Sequence, residues 1–155
     1  MEGYIFVDEN NDFIKWEKKF ELGIPVIDNQ HKQLVHLCND LYQAVIRNKY
    51  RATTPGWHEA LADALRETVN YVKTHFSDEE KLLTAVGYSG LDQQKAQHRN
   101  FTNKITENLK NFNKATFQDA MNFVRFLYDW ILQHIAISDK QYVPAVLEYL
   151  KNKGN

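Results

Sequence analysis

Cysteine occurs once, at Cys38, and proline and glycine number only three and six in a chain of 155 residues. One thiol cannot close an internal disulfide or build a sulfur-rich zinc site, and it agrees with a reducing compartment. Cys38 lies seven residues after His31, on the same helical face, where a packed core thiol is the expected reading. Scarce helix breakers mean few turns. The turn signals gather at Gly23-Ile24-Pro25, Thr53-Thr54-Pro55-Gly56, Gly87-Tyr88-Ser89-Gly90, the polar run Asn111-Phe112-Asn113-Lys114 and Gly154.

Charge of one sign is missing too. The formal net charge is −1, with both signs dispersed, so no sustained basic stretch is set to neutralise nucleic-acid phosphates or anionic lipid. Neither nucleic acid nor a membrane is expected as a partner. The apolar run Phe123 to Leu132 is broken by Arg125 and Asp129, far short of the roughly 20 residues a membrane span needs. The first eight residues, Met1 to Asp8, carry no basic n-region of a secretory signal, and a cytoplasmic location is expected. No glycine-rich phosphate loop, nucleophile triad, repeat or strand-like alternation stands out. Any catalysis would therefore be metal chemistry on a small ligand.

What remains is long segments of helical period. With Asp28 as N-cap, Leu34, Val35, Leu37, Cys38, Leu41, Tyr42, Val45 and Ile46 predict a helix over about 29–48. Leu61, Leu65, Val69, Val72, Phe76, Leu83 and Val86 predict a second over about 57–86, stopped by Gly87. Asp92 caps a third through Ala96, Phe101, Ile105 and Leu109, a fourth starts near 117, and a short tail helix covers about 140–151. With 43% hydrophobic residues, the expected fold is all-α: one domain over 1–155, an antiparallel up-down-up-down four-helix bundle with an N-terminal extended arm and a short C-terminal helix.

Each of the four long helices offers an imidazole: His31, His75, His98 and His134. His75 and Glu79, four apart, can reach one metal, although an isolated pair of this kind is more often a solvated surface pair. Alternating helix directions bring His31, His75 with Glu79, His98 and His134 to one end of the bundle. Imidazole nitrogen with bridging carboxylate oxygen suits iron or manganese in paired sites inside helical bundles, iron being the first choice. Asp139 follows His134 by five residues, which rotates an ideal helix by about 140° and aims the two side chains apart. If both serve one site, the helix must end, bend or widen there; otherwise Asp139 is a solvated helix-end residue. His36, five residues from His31, faces away, and His58 lies beside a turn; both read as surface or partly buried structural histidines.

Trp16, Gly23-Ile24, Ile27-Asp28-Asn29-Gln30-His31-Lys32, Tyr71 with His75-Phe76 and Glu79-Glu80, Gly87-Tyr88, His98, and Trp130-Ile131 through His134-Ile135 and Asp139-Lys140-Gln141-Tyr142 resemble the bacterial hemerythrin pattern over residues 16 to about 148. The resemblance implies a non-heme diiron centre with an oxo or hydroxo bridge, two Fe2+/Fe3+ ions held by His31, His75, His98 and His134 and bridged by Glu79 and Asp139. His31 and His75 would serve the oxygen-binding iron; His98 and His134 would serve the other. It implies a pocket wall of Phe76, Trp130, Ile131 and Ile135, which are ordinary core positions as well, and a packing role for Trp16 and Phe20. The family's third helix normally carries a histidine four residues before His98, where this chain has Gln94. Gln94 would coordinate through its carbonyl oxygen, hold a water, or leave a position open. The implied function is reversible binding of oxygen or another small diatomic ligand for storage, delivery or sensing. The alternative is an enzyme reducing oxygen, peroxide or nitric oxide at a second open iron.

Overall fold

The computed structural model describes residues 14–47 and 57–154. The Thr53 to Gly56 turn signal and the extreme N-terminus lie outside them. Four helices carry the architecture: α1 (Pro25–Arg47), α2 (Trp57–Val86), α3 (Leu91–Lys110) and α4 (Phe117–Gln133), followed by α5 (Val143–Lys153). They form an antiparallel up-down-up-down bundle in which α1 packs on α2 and α4, α2 packs on α3, and α5 folds back onto α2.

The helix starts differ from expectation in instructive ways. Helix α1 opens at Pro25, whose missing N–H and fixed φ suit the first helical position. Asp28 lies inside the first turn, and its carboxylate accepts from the N–H groups of Leu22 (2.8 Å) and Gly23 (3.1 Å), tying the arm to the helix start. Helix α3 opens behind Gly90 without a side-chain cap, leaving Asp92 in its first turn, where a carboxylate complements the helix dipole. At α4, Thr116 and Asp119 form a reciprocal capping box. Gly87 terminates α2 as expected: its positive φ of 73° places the Gly87 and Tyr88 N–H groups on the Thr84 and Leu83 carbonyls, both at 3.1 Å.

The arm over residues 14–24 includes a 3-10 turn at Lys18–Phe20. It is pinned by Asn39, buried in α1, whose side chain accepts from Ile14 N–H at 2.7 Å and donates to Ile14 C=O at 2.8 Å. A polar residue on an apolar face is thus satisfied by the arm backbone. Trp16 and the buried Phe20 pack together at 5.6 Å between ring centroids, confirming the expected packing role.

Two apolar clusters fill the interior. The larger runs along the bundle from Leu34, Val35 and Cys38 to Phe76, Phe101, Leu127, Ile131 and Ile135. The smaller joins Leu22, Ile24, Ile27, Leu83, Tyr142 and Val146 at one end. On α1 a single residue separates the clusters at helical spacing: Ile27, His31, Val35. Phe76, Glu79 and Leu83 repeat the pattern on α2, and Ile135, Asp139 and Tyr142 repeat it after α4. The fold therefore holds one polar layer between two apolar ones.

Candidate metal centre

The polar layer gathers the six residues chosen from the sequence, together with Gln94. His31, Glu79 and Asp139 are 0% exposed, and His75, His98, His134 and Gln94 no more than 4%. Two triads have ligand atoms within 4.8 Å of one another: His31, His75 and Glu79, and Glu79, His98 and His134. They share Glu79. Its Oε2 lies 3.1 Å from His75 Nε2 and 3.6 Å from His98 Nε2. Asp139 makes the second crossing, with Oδ2 at 3.3 Å from His31 Nε2 and Oδ1 at 3.0 Å from His134 Nε2. Each carboxylate thus touches one histidine from either pair.

Asp139 reaches this position because the chain widens where the spacing requires it. Residues His134–Ser138 form a π-helical turn, and the Asp139 N–H donates to the His134 carbonyl. This i→i+5 bond stacks residues five apart on one face, whereas an α-helix separates them by about 140°. A 3-10 turn, Asp139–Tyr142, then delivers the chain to α5.

Several buried polar atoms here lack a hydrogen-bond partner: both ring nitrogens of His31, both oxygens of Glu79, Asp139 Oδ2 and Gln94 Oε1. Among the described residues no lysine or arginine lies within ion-pair distance of Glu79 or Asp139. Buried polar groups are otherwise almost always paired, and two buried carboxylates without a counter-cation are costly. Divalent cations would satisfy both deficits, so the donor set fits a metal pair.

The electrostatics agree. Burial, and then the charge of Asp139, pushes Glu79 above the usual carboxylate range. Burial acts on Asp139 in the same direction, but His134 and His31 hold it well below its ordinary value. Burial, followed by His134, brings His98 down to about 3, keeping its imidazole neutral as a metal ligand requires.

Aromatic rings wall one side. Phe76 stacks on His98 at 3.8 Å, and Trp130 stacks on His134 at 4.2 Å. Ile131 and Ile135 are buried in the larger apolar cluster. The remaining histidines stand apart, as expected: His36 pairs with Asp40 on the surface (3.3 Å), and His58 bonds the Ala115 carbonyl (2.8 Å). Burial raises the core thiol Cys38 to about 12.

Gln94 enters the layer through its nitrogen. Nε2 donates to Asp139 Oδ1 at 3.2 Å and to the Ser138 carbonyl at 3.4 Å, leaving Oε1 buried and unpaired. Three neighbours, Gln30, Tyr71 and Tyr142, belong to the pattern quoted from the sequence but were given no role there. Gln30 Oε1 lies 2.6 Å from His75 Nδ1, and the Tyr71 hydroxyl donates to the Gln30 carbonyl at 3.0 Å. The buried Tyr142 hydroxyl has no aligned partner, and burial with the charges of Glu79 and Asp139 raises it. Gln30 immediately precedes His31 and so turns toward α2; Tyr142 follows Asp139 by three residues and so shares its side of the chain.

Residues 22–146 match the family model described as hemerythrin HHE cation binding domain. The chain is similar to the bacteriohemerythrin of Clostridium acetobutylicum, 30% identical over 129 residues that cover 83% of this chain and 97% of that protein. It is also similar to the bacteriohemerythrin of Pseudomonas aeruginosa, 32% identical over 132 residues covering 84% and 80%. A solved structure of wild-type hemerythrin superimposes with a TM-score of 0.70 at 24% identity, covering 86% of this chain and 98% of that one. No helix among the described residues is long and apolar enough to cross a membrane.

Proposed function

This chain belongs to the hemerythrin family, and from that premise we propose that it is a diiron protein which binds oxygen reversibly for storage, delivery or sensing, with one domain spanning the sequence. The observation that carries this reading is the double crossing of carboxylates, Glu79 and Asp139 each touching one histidine of both pairs. His31 and His75 would hold one iron, His98 and His134 the other, with both carboxylates shared. When bound, such a pair supplies the electrons that a diatomic ligand takes up reversibly.

The chain's own residues prepare that chemistry. His75 Nδ1–H donates to Gln30 Oε1, which fixes the tautomer and leaves Nε2 free to ligate. The Phe76 and Trp130 stacks hold the His98 and His134 rings in place and exclude water from that side. The apolar layers above and below keep protons and bulk solvent from the polar one. Anaerobic loading with ferrous iron, exposure to oxygen and its removal, followed by visible absorption, tests the reading. Spectra that cycle reversibly support it; irreversible bleaching or turnover contradicts it.

Gln94 favours a second reading. Its amide nitrogen donates to Asp139 and Ser138, so where a histidine nitrogen would bind there is only the neutral, weaker donor Oε1, or a water that it holds. That would open a second exchangeable site and support reduction of oxygen, peroxide or nitric oxide. Gln94→His should then make oxygen binding more reversible and autoxidation slower. Identical autoxidation and peroxide reactivity in both proteins would remove the support for an enzyme.

A further inference from the structure

A cleft of about 710 Å³ lies between α2 and α3, on the solvent side of the metal layer. It falls within the size range of small-molecule sites. Its position follows from helical spacing: Lys73, Ser77 and Lys81 recur every four residues along α2, and Lys95, Arg99 and Asn103 do so along α3, all on facing stripes. Four cations line one cleft, Lys73, Lys81, Lys95 and Arg99, against a single carboxylate, Glu80.

None of the four cations makes an ion pair among the described residues. Glu80 offsets one of the four, since the His98 ring whose Nδ1 lies 3.7 Å from its Oε2 is neutral, and the lining keeps an excess of three positive charges. In a chain of net charge −1, this is a local concentration of positive charge. Hydroxyl and amide groups of Ser77, Thr102 and Asn103 add hydrogen-bonding partners between the charges. The floor offers no platform for a flat ring, since Phe76 is 4% exposed and already stacked on His98.

We propose that the α2–α3 cleft is a binding site for a small soluble anion carrying two phosphate groups, recognised by Lys73 and Lys81 from one wall and Lys95 and Arg99 from the other. Cations on both walls suit two separated anionic groups better than one. The volume exceeds that of a lone phosphate, and the lack of an apolar platform disfavours an aromatic ligand. The cleft floor meets the metal layer at Phe76 and His98, but recognition rests on the four cations and does not require bound iron.

Isothermal titration of fructose 1,6-bisphosphate into the purified full-length protein tests this, with iron content measured before and after. Saturable binding is expected, tighter than that of fructose 6-phosphate and weakened as salt rises from about 50 mM to about 500 mM. Lys95→Gln combined with Arg99→Gln should weaken it at least about fivefold, since both side chains are exposed and the substitutions leave the core intact. Lys151→Gln on α5 should leave it unchanged. No saturable binding, equal affinity for the monophosphate, or equal loss in the α5 variant would overturn the proposal. Preferential binding of a short DNA duplex to the same cleft would overturn the small-molecule assignment.

Discussion

Replacing Gln30 by leucine removes the acceptor from His75 Nδ1 while keeping side-chain bulk. The bond it breaks is short, 2.6 Å, and its histidine is only 2% exposed, so water cannot replace Gln30 without rearrangement. An unpaired buried donor costs about 1–3 kcal/mol. The second bond, Gln30 Nε2 to Asp78 at 3.3 Å, is exposed and adds little. Tyr71 bonds the Gln30 main chain and is unaffected. Urea denaturation of metal-free Gln30→Leu should therefore show a loss of about 2 kcal/mol. Free to adopt either tautomer, His75 should also ligate less well, and loss of such an outer partner typically costs about 10–100-fold in metal affinity, read by competition with a chelator. Gln30→Glu keeps the acceptor and should recover most of both losses. Wild-type stability and metal affinity in Gln30→Leu would refute the reasoning, as would equal damage in the leucine and glutamate variants.

Removing either shared carboxylate, with Glu79→Ala or Asp139→Ala, should leave at most one tightly held metal by elemental analysis; two metals in both variants would contradict a bridging role. Metal removal should lower the melting temperature, because the carboxylates and histidines of the polar layer then lose the cations that satisfy them, and equal melting of the two forms would count against a buried site. Acid should also act through His98. Held at about 3 when folded, it binds a proton only in the unfolded chain below its ordinary value of about 6.5, so it removes stability as pH falls, by up to about 1.4 kcal/mol per unit. Glu79, raised when folded, has the opposite sign, so the comparison is with His98→Gln: metal-free wild type should lose stability relative to the variant between about pH 7 and pH 5, and parallel profiles would contradict the assignment.

Periodicity is what made the bundle legible. Helix α2 was readable almost to the residue because an unbroken apolar series ends at Gly87, which the left-handed cap requires. The beginnings of helices were harder. Asp28 and Asp92 have N-cap chemistry but sit one turn or less inside their helices, where a carboxylate interacts with the same N-terminal dipole. Thr116, the side-chain cap of α4, was not picked out from the sequence, although its spacing from Asp119 is that of a capping box. At the site, the awkward interval from His134 to Asp139 was informative, since a shared role demanded the wider turn that the chain adopts. Sequence spacing places side chains on faces but does not orient their atoms. That is why the turn of Gln94 Nε2 toward Asp139, and the bond from Gln30 to His75, became visible only in three dimensions. The α2–α3 cleft was hidden for a related reason: its cations are dispersed along the sequence and converge only when two antiparallel helices meet.

Iron content per chain after anaerobic loading with ferrous iron and removal of excess metal tests the diiron reading most directly. Two irons per wild-type chain are predicted. A single tightly held zinc, or one iron at saturation, would contradict it.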